Sequence, residues 1–218
     1  MITKMTDKKT PTMQQMADYR QMYKTAVLAA DFDRIHGFES EYDVFTKVYE
    51  ENGMMGVKDA AGEVLVPAMF DDIACTFTDC CRGFAIPVVK GAKLAFAAPD
   101  GKGTLVSDFE YDSVHFTDGF YILIKEGKQG LADGCGQVLI PATMDKVYVP
   151  FNSLVVYENE GKYGFAMLGY DVYTETEYDD YDVIDENLEV IKDGVKGYID
   201  FEGNFTQDED EKFFNCSC

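Results

Sequence analysis

The chain has 218 residues, of which 40 are acidic and 19 are basic, so its formal net charge at pH 7 is −21. Apolar residues make up 46% of it, which predicts one globular domain with a buried core and excludes a disordered chain. The negative charge excludes a nucleic-acid-binding protein that neutralises phosphates, and it argues against docking on an anionic membrane surface. The chain has no Trp, against 14 Tyr and 16 Phe.

The N-terminal segment has the pattern of a helix. From Pro11 to Ala30 there is no Gly and no second Pro, and apolar side chains recur every three or four residues. This spacing predicts an amphipathic α-helix, which Thr10 or Thr12 would cap, and we assign it to residues 1–31. Its Met and Tyr side chains would either bind a partner or pack on the domain that follows.

From Phe32 onward, short runs of Val, Ile, Tyr and Phe alternate with turn sequences. Gly supplies the positive φ that tight hairpins need, and Asn or Asp tolerates it, so this texture predicts antiparallel strands in a meander. The turn sequences include Asn52-Gly53, Asp100-Gly101, Asp118-Gly119, Glu126-Gly127, Asp133-Gly134, Glu160-Gly161, Asp193-Gly194 and Glu202-Gly203.

The turns are periodic. A Gly-x-x-Gly string ends at Gly56, Gly130, Gly164 and Gly197, and a degenerate copy has Ala95 at the same position. Successive copies are 33–39 residues apart, which is typical of a repeat architecture. The second Gly lacks a side chain and would permit close approach of a neighbouring strand.

We therefore predict an all-β fold of five tandem units with four antiparallel strands each, behind the N-terminal helix. The units form either a propeller-like ring or an open twisted β array. The predicted units are residues 32–69, 70–109, 110–143, 144–177 and 178–206, and an acidic tail follows at 207–218.

Each unit opens with an aromatic or apolar residue followed by Asp, and two interpretations of that Asp remain open. It could accept backbone N–H bonds in a local turn, or the set could form a ring of ligand-facing carboxylates. The residues are Asp33, Asp71, Asp112, Asp145 and Asp179.

Two stretches, Gly127–Val147 and Gly53–Ile73, carry a family resemblance. They resemble the WG-repeat (KWG) family, whose units follow the order Gly-Lys-x-Gly-Phe-x-Asp, then Val-x-Ile-Pro, then Tyr-Asp-x-Val. The Trp that names the family would be replaced in every unit, by Met55, Leu94, Gln129, Tyr163 and Lys196. The resemblance implies a tandem β scaffold that acts as an interaction or binding module, without a general catalytic role.

Residues suited to catalysis are scarce. His36 and His115 are the only histidines, and no nucleophile, phosphate-loop or zinc-protease signature is present. The carboxylates that cluster near residue 180 do not follow the spacing of a calcium loop. We predict no catalytic residue, no metal site and no cofactor.

The leading hypothesis for function is a non-enzymatic scaffold that binds a protein or peptide, with a basic partner favoured by the charge. The alternative is a carbohydrate or small-ligand module. A carboxylate-dependent hydrolase is a third hypothesis. We expect no nucleic-acid and no membrane partner, and we predict no oligomeric state. The candidate binding residues are Tyr163, Tyr173, Tyr178, Tyr181, Asp179, Asp180 and Asp182.

The sequence also indicates a compartment. The first nine residues are polar, no apolar signal region follows them, and no apolar run approaches the roughly 20 residues of a spanning helix. The six cysteines are too few for a disulfide scaffold and lack the pairing of a zinc site. We therefore expect a cytoplasmic protein with reduced thiols.

Overall fold

The structure, a computed structural model, describes most of the chain from residue 46 to residue 207 and a few isolated residues before it. The described ranges are 46–59, 61–74, 85–117, 119–151, 154–168, 172–184, 187–200 and 202–207, with residues 9, 12, 14, 15, 18, 21 and 22.

The described chain forms short antiparallel strands in five sheets, each of which follows the chain order without crossovers. The first three sheets are β1 (Lys47–Glu51), β2 (Met54–Lys58), β3 (Val64–Phe70); β4 (Asp72–Ile73), β5 (Ile86–Lys90), β6 (Lys93–Ala97); and β7 (Ser113–Thr117), β8 (Phe120–Lys125), β9 (Lys128–Asp133), β10 (Val138–Met144). The last two are β11 (Lys146–Phe151), β12 (Leu154–Asn159), β13 (Lys162–Met167), β14 (Val172–Tyr173); and β15 (Asp180–Ile184), β16 (Asn187–Lys192), β17 (Val195–Ile199), β18 (Phe205–Thr206).

The prediction of an all-β fold with five antiparallel sheets is confirmed, and in the described residues the last three sheets have the four strands that were predicted. Within the described residues the first and second sheets have three strands each. In the second sheet, Leu105 adds only an isolated bridge to Ala97 where a fourth strand was expected. The closure of the sheets into a ring stays a prediction.

Four hairpins connect neighbouring strands through two residues of positive φ. Glu126 and Gly127 have φ values of 52° and 78°, and Glu160 and Gly161 have 53° and 77°. Two consecutive positive φ values are the mark of the type I′ turn, whose twist matches that of the flanking strands. The same pattern recurs at Asn52-Gly53 and Asp193-Gly194.

The core lies between consecutive sheets and not on one side of them. Along β8, Phe120 belongs to the cluster shared with the fourth sheet, and Tyr121 belongs to the cluster shared with the second sheet. Along β12, Val155 faces back to the third sheet and Val156 faces forward to the fifth. Because successive side chains of a strand point to opposite faces, the middle sheets bury both faces. Four such clusters join the five sheets in chain order.

The predicted helix over residues 1–31 lies mostly outside the described residues and stays a prediction. Within this segment, Thr12 and Gln15 exchange two hydrogen bonds. The Thr12 N–H donates to Gln15 Oε1 at 2.8 Å, and the Gln15 N–H donates to Thr12 Oγ1 at 3.2 Å. This reciprocal pair is the capping box that marks a helix start. Met22 packs against the cluster between the third and fourth sheets.

Candidate functional site

Three of the four candidate tyrosines lie together between the fourth and fifth sheets. The ring centroids of Tyr163 and Tyr181 are 5.0 Å apart, and Phe165 lies 5.4 Å from Tyr178 and 5.6 Å from Tyr181. Tyr178 is 1% exposed, and its burial raises the pKa of its hydroxyl to about 12. These rings therefore fill a core, and Tyr178 does not present a face on which a sugar could stack.

Tyr173 differs from the other three. It lies on β14, the last strand of the fourth sheet, and 46% of its surface is exposed. Its neighbour Val172 points the other way and joins the core cluster with the fifth sheet. Among the candidate tyrosines it is the one most open to a ligand, and its binding role stays a prediction.

Asp179 connects two units. Its Oδ1 accepts a hydrogen bond from the Lys162 ammonium group of the preceding unit, and its Oδ2 accepts the Gly194 N–H at 3.1 Å. The Gly194 N–H belongs to the hairpin that joins β16 to β17. Both carboxylate oxygens of Asp179 are therefore engaged, one across the junction and one within its own unit.

The same arrangement recurs at two earlier junctions. Asp145 accepts the Lys128 ammonium group at 2.5 Å and the Glu160 N–H at 2.8 Å. Asp112 accepts hydrogen bonds from the Lys93 ammonium group at 2.6 Å and from the Glu126 N–H at 2.6 Å. We call this repeated Lys–Asp–turn arrangement the junction staple. Glu126 and Glu160 are the turn residues with positive φ, so the staple supports a conformation that non-Gly residues rarely adopt.

The local turn, one of the two interpretations of these Asp residues, occurs at other Asp residues of the unit. Asp133 Oδ1 accepts the N–H groups of Cys135 and Gln137, each at 2.9 Å. Asp200 Oδ1 accepts those of Glu202 and Asn204, each at 2.8 Å. These Asp residues close the hairpin before the fourth strand, whereas the staple Asp reaches a turn 14 or 15 residues away.

Asp180 and Asp182 lie on the face of β15 opposite to Tyr181, which packs towards the fourth sheet. Asp182 is directly across from Glu189 on β16, and both aspartates are exposed. Glu189 pairs with Lys196 at 2.6 Å. We call Asp180, Asp182, Glu189 and Lys196 the acidic face. It holds three carboxylates and one ammonium group, and we expect its net charge at neutral pH to be negative.

An open groove lies beside this region, with a cavity volume of about 530 Å³. Lys192 lines it, pairs with Glu177 at 2.6 Å, and lies 5.7 Å from the centre of the Tyr178 ring. Val195 and Phe205 supply its apolar lining. The groove thus combines one neutralised ion pair with a small apolar surface.

Other reactive groups do not assemble into a site in the part of the chain that the structure describes. No three of its His, Cys, Asp and Glu side chains are grouped so that they could hold a metal ion. Cys135 is exposed, and the other five cysteines lie outside the described residues. His115 is exposed on β7, and His36 is not among the described residues. No described helix has the length and apolar character needed to cross a membrane.

Replacing Asp145 tests the junction staple. The Asp145→Ala variant loses the ion pair and leaves the Glu160 N–H without its acceptor, so we expect an unfolding temperature lower by about 2–4 °C for a chain of this size. The pair is about 40% exposed, with values of 43% for Lys128 and 39% for Asp145, which limits its contribution.

A thermal unfolding series on Lys128→Met, Asp145→Ala and the double variant measures their coupling. The Lys146 and Glu158 pair is the control, because its separation is 3.7 Å and Lys146 is 55% exposed. Strictly additive effects at Lys128 and Asp145 would contradict the staple.

The staple also predicts a dependence on pH. The hydrogen bond from Lys128 holds the pKa of Asp145 below its ordinary value, and the Glu160 N–H acts in the same direction. Asp112 and Asp179 are shifted likewise by their own lysines. A carboxyl with a lowered folded-state pKa stabilises the fold above its unfolded pKa of about 3.9, and that contribution is lost as the pH falls through the folded value.

We therefore compare the wild type with the Asp112→Asn, Asp145→Asn, Asp179→Asn triple variant. The difference between their unfolding temperatures should be constant from about pH 8 to about pH 5 and should shrink below about pH 4. A difference that stays constant at low pH would show that the charges of these residues do not support the junctions.

The repeating hairpins, the four inter-sheet cores and the junction staples define the chain as a tandem antiparallel β-repeat protein. Its residues 100–128, which run from the end of the second unit into the third sheet, match a family model described as "WG containing repeat". No curated protein matched the chain.

One similar solved structure is titled "Crystal structure of the eukaryotic initiation factor". The two chains share 12% identity with a TM-score of 0.36, over 67% of this chain and 44% of the other. This chain therefore spans less than half the length of that structure, and the likeness is too weak to indicate a function.

Proposed function

We propose that this protein is a non-enzymatic scaffold of the WG-repeat type that binds a basic protein or peptide through the acidic face of its fifth sheet. The observation that carries the proposal is that Asp180 and Asp182 are exposed on a face directed away from the fourth sheet, where Asp182 lies opposite Glu189. The net charge of −21 would attract a basic partner to this face and repel nucleic acid.

The inter-unit pairings support the WG-type assignment. Leu94 exchanges backbone hydrogen bonds with Tyr111, and Tyr163 does so with Tyr178. The first residue of each pair is at the position that we equate with the family Trp, and the second opens the next unit. Gln129 is likewise the strand partner of Met144, and its side-chain Oε1 also accepts the Val147 N–H at 2.9 Å. We infer that these positions join units here and do not read a ligand.

A peptide-binding experiment tests the function. The probe is an eight-residue peptide of alternating Lys and Val, with an alternating Glu and Val peptide as the charge control, and fluorescence anisotropy gives the affinity. We expect the basic peptide alone to bind, and the Asp180→Asn, Asp182→Asn variant to weaken it by about 3–10-fold. The effect should decrease with added salt.

The matched control removes two other exposed charges, through Glu50→Gln and Asp108→Asn, which leaves the acidic face intact. Its affinity for the basic peptide should stay close to that of the wild type. Equal losses in the two double variants would show that the peptide senses only the net charge, and the acidic face would then not be the binding surface.

Carbohydrate binding is the second candidate, and the exposed ring of Tyr173 favours it. Binding on a glycan array that Tyr173→Ala removes would support it, and an array without hits would count against it. We do not propose a hydrolase, because Asp182 and Glu189 face each other on an exposed sheet surface and not in a cleft that could exclude water.

A further inference from the structure

The junction between the first and second units is built like the others, with one difference. Asp71 Oδ2 accepts the Gly91 N–H of its own hairpin at 2.6 Å, and the Asp71 N–H donates to the Val89 carbonyl oxygen at 2.9 Å. At the next junction Asp112 accepts the Glu126 N–H at 2.6 Å and donates to Ile124 at 2.7 Å. The carboxylate of Asp71 is therefore held as the staple carboxylates are.

The lysine that completes the staple is replaced at this junction. Met55 pairs with Phe70 as Leu94 pairs with Tyr111, so Met54 stands beside Asp71 where Lys93 stands beside Asp112. Among the described residues, no lysine or arginine forms an ion pair with Asp71.

The residue across from Met54, on β1, also differs in charge from its counterparts at the next two junctions. Glu51 is the cross-strand partner of Met54, whereas Lys90 is the partner of Lys93 and Lys125 that of Lys128. We count the charges of the two facing residues and of the staple Asp at each junction. The first junction, with Glu51, Met54 and Asp71, has a net charge of −2. The next two junctions, each with two lysines and one Asp, have a net charge of +1. The first junction is therefore the one most in need of an external ammonium group.

We propose that Asp71, with Glu51 beside it, is a docking point for a lysine side chain of the basic partner, which takes the place that Lys93, Lys128 and Lys162 occupy within the chain. This inference rests on the proposed function and adds a second contact to the acidic face. The filled junctions show the geometry: one carboxylate oxygen receives the ammonium group while the other is fixed by the hairpin N–H. Asp71 and Glu51 are both exposed, so a partner can reach them.

The test follows the backbone amide of Gly91 by NMR while the alternating Lys and Val peptide is added at constant ionic strength. We expect a saturable shift of the Gly91 resonance and none at Glu126, whose acceptor is already paired with Lys93. Asp71→Asn should remove the shift. Met54→Lys should also remove it, because the new lysine completes the staple, whereas Met54→Leu should leave it unchanged.

The affinity of the peptide gives a second readout. Asp71→Asn and Met54→Lys should each weaken binding by about 2–5-fold, the range expected for one exposed ion pair. Val48→Lys adds the same charge as Met54→Lys at an exposed position on β1 and serves as the control. Equal losses in Val48→Lys and Met54→Lys, or a Gly91 shift that survives Met54→Lys, would overturn the docking point.

The two proposals can fail separately. If the peptide binds, responds to Asp180→Asn, Asp182→Asn and leaves Gly91 unmoved, the docking point is wrong and the proposed function stands. If the peptide does not bind, the proposed function is wrong. A titration with Nα-acetyl-lysine methylamide, against its norleucine analogue, then decides the docking point: a Gly91 shift with the lysine compound alone supports it, and equal or absent shifts overturn it.

Discussion

Phe165→Ala should destabilise the protein by about 3–5 kcal/mol, the cost typical of removing a buried aromatic side chain. Phe165 is completely buried on β13, in the cluster between the fourth and fifth sheets. Its ring packs against those of Tyr178 and Tyr181, so the variant loses both aromatic contacts and leaves a cavity. This is one of the two largest effects that we expect.

Denaturant unfolding measures this loss of stability, and tyrosine fluorescence can follow the transition. Because the chain has no Trp, its intrinsic fluorescence comes from tyrosine, and two tyrosines contact Phe165. Tyr173→Ala on the neighbouring strand is the control, since Tyr173 is half exposed and should cost less than about 1 kcal/mol. Comparable losses in the two variants would contradict the assignment of this cluster as a core.

The second large effect is expected for Gly130→Ala, which should lower the free energy of unfolding by about 3 kcal/mol. A Cβ atom added at Gly130 would lie 2.6 Å from the Ala142 nitrogen, 2.6 Å from the Ile140 oxygen and 2.7 Å from the Pro141 carbonyl carbon. These are backbone atoms of β10, which cannot rotate away as a side chain can. The methyl group would therefore push the fourth strand of the third sheet off its neighbour β9.

The second unit provides the matched control for Gly130→Ala. Ala95 occupies the equivalent position and is completely buried. The segment after β6 forms no full strand there: it contacts β6 through a bridge at Leu105 and single hydrogen bonds such as Val106 N–H to the Phe96 oxygen. Ala95→Gly should therefore cost only about 1 kcal/mol, from backbone entropy and a lost methyl group. Urea unfolding compares the variants. A cost for Gly130→Ala below that of Ala95→Gly would contradict the close approach of β10.

The repeated glycine is where sequence and structure agree in detail. Its recurrence predicted close approach of a neighbouring strand, and neighbouring backbone atoms do lie that close at Gly56, Gly130 and Gly197. At Gly164 the space beside the backbone is taken mainly by the Tyr157 ring. The hairpin dipeptides were equally predictable, because few residues adopt the positive φ that a two-residue turn requires. Strand period and turn chemistry are local properties, so the all-β fold and its five-sheet rhythm could be predicted from the chain alone.

The candidate site was less predictable. Whether a tyrosine is exposed depends on which sheet covers its face, and three candidate tyrosines point into the junction between the fourth and fifth sheets. In the fourth sheet the sequence offers no signal for that choice, because both faces of a middle sheet are buried and apolar residues follow without alternation. On β15, by contrast, the alternation Asp180-Tyr181-Asp182-Val183 does indicate that Tyr181 points inward. Tyr173 was separable from the others only once β14 was placed at the end of its sheet.

The junction staple was also only partly predictable from the sequence. A lysine after three of the hairpins and an Asp 17 or 19 residues later are visible in the sequence as a recurrent pair. Their contact was not predicted, because it joins the hairpin of one unit to the first strand of the next, and only the packing of two sheets brings them together. The same sheet packing places Met54 beside Asp71, and for that reason the missing lysine at this position leaves the Asp71 carboxylate without an ion pair among the described residues.

The sequence by itself therefore determined the class of fold, the five-unit rhythm, the turns and the acidic charge, since these follow from residue conformations and composition. The tertiary structure decided which aromatic rings are buried, which carboxylates are neutralised by lysines of the preceding unit, and which remain open on the fifth sheet and at the first junction. Those outcomes depend on contacts between units, and such contacts are set by how the sheets stack.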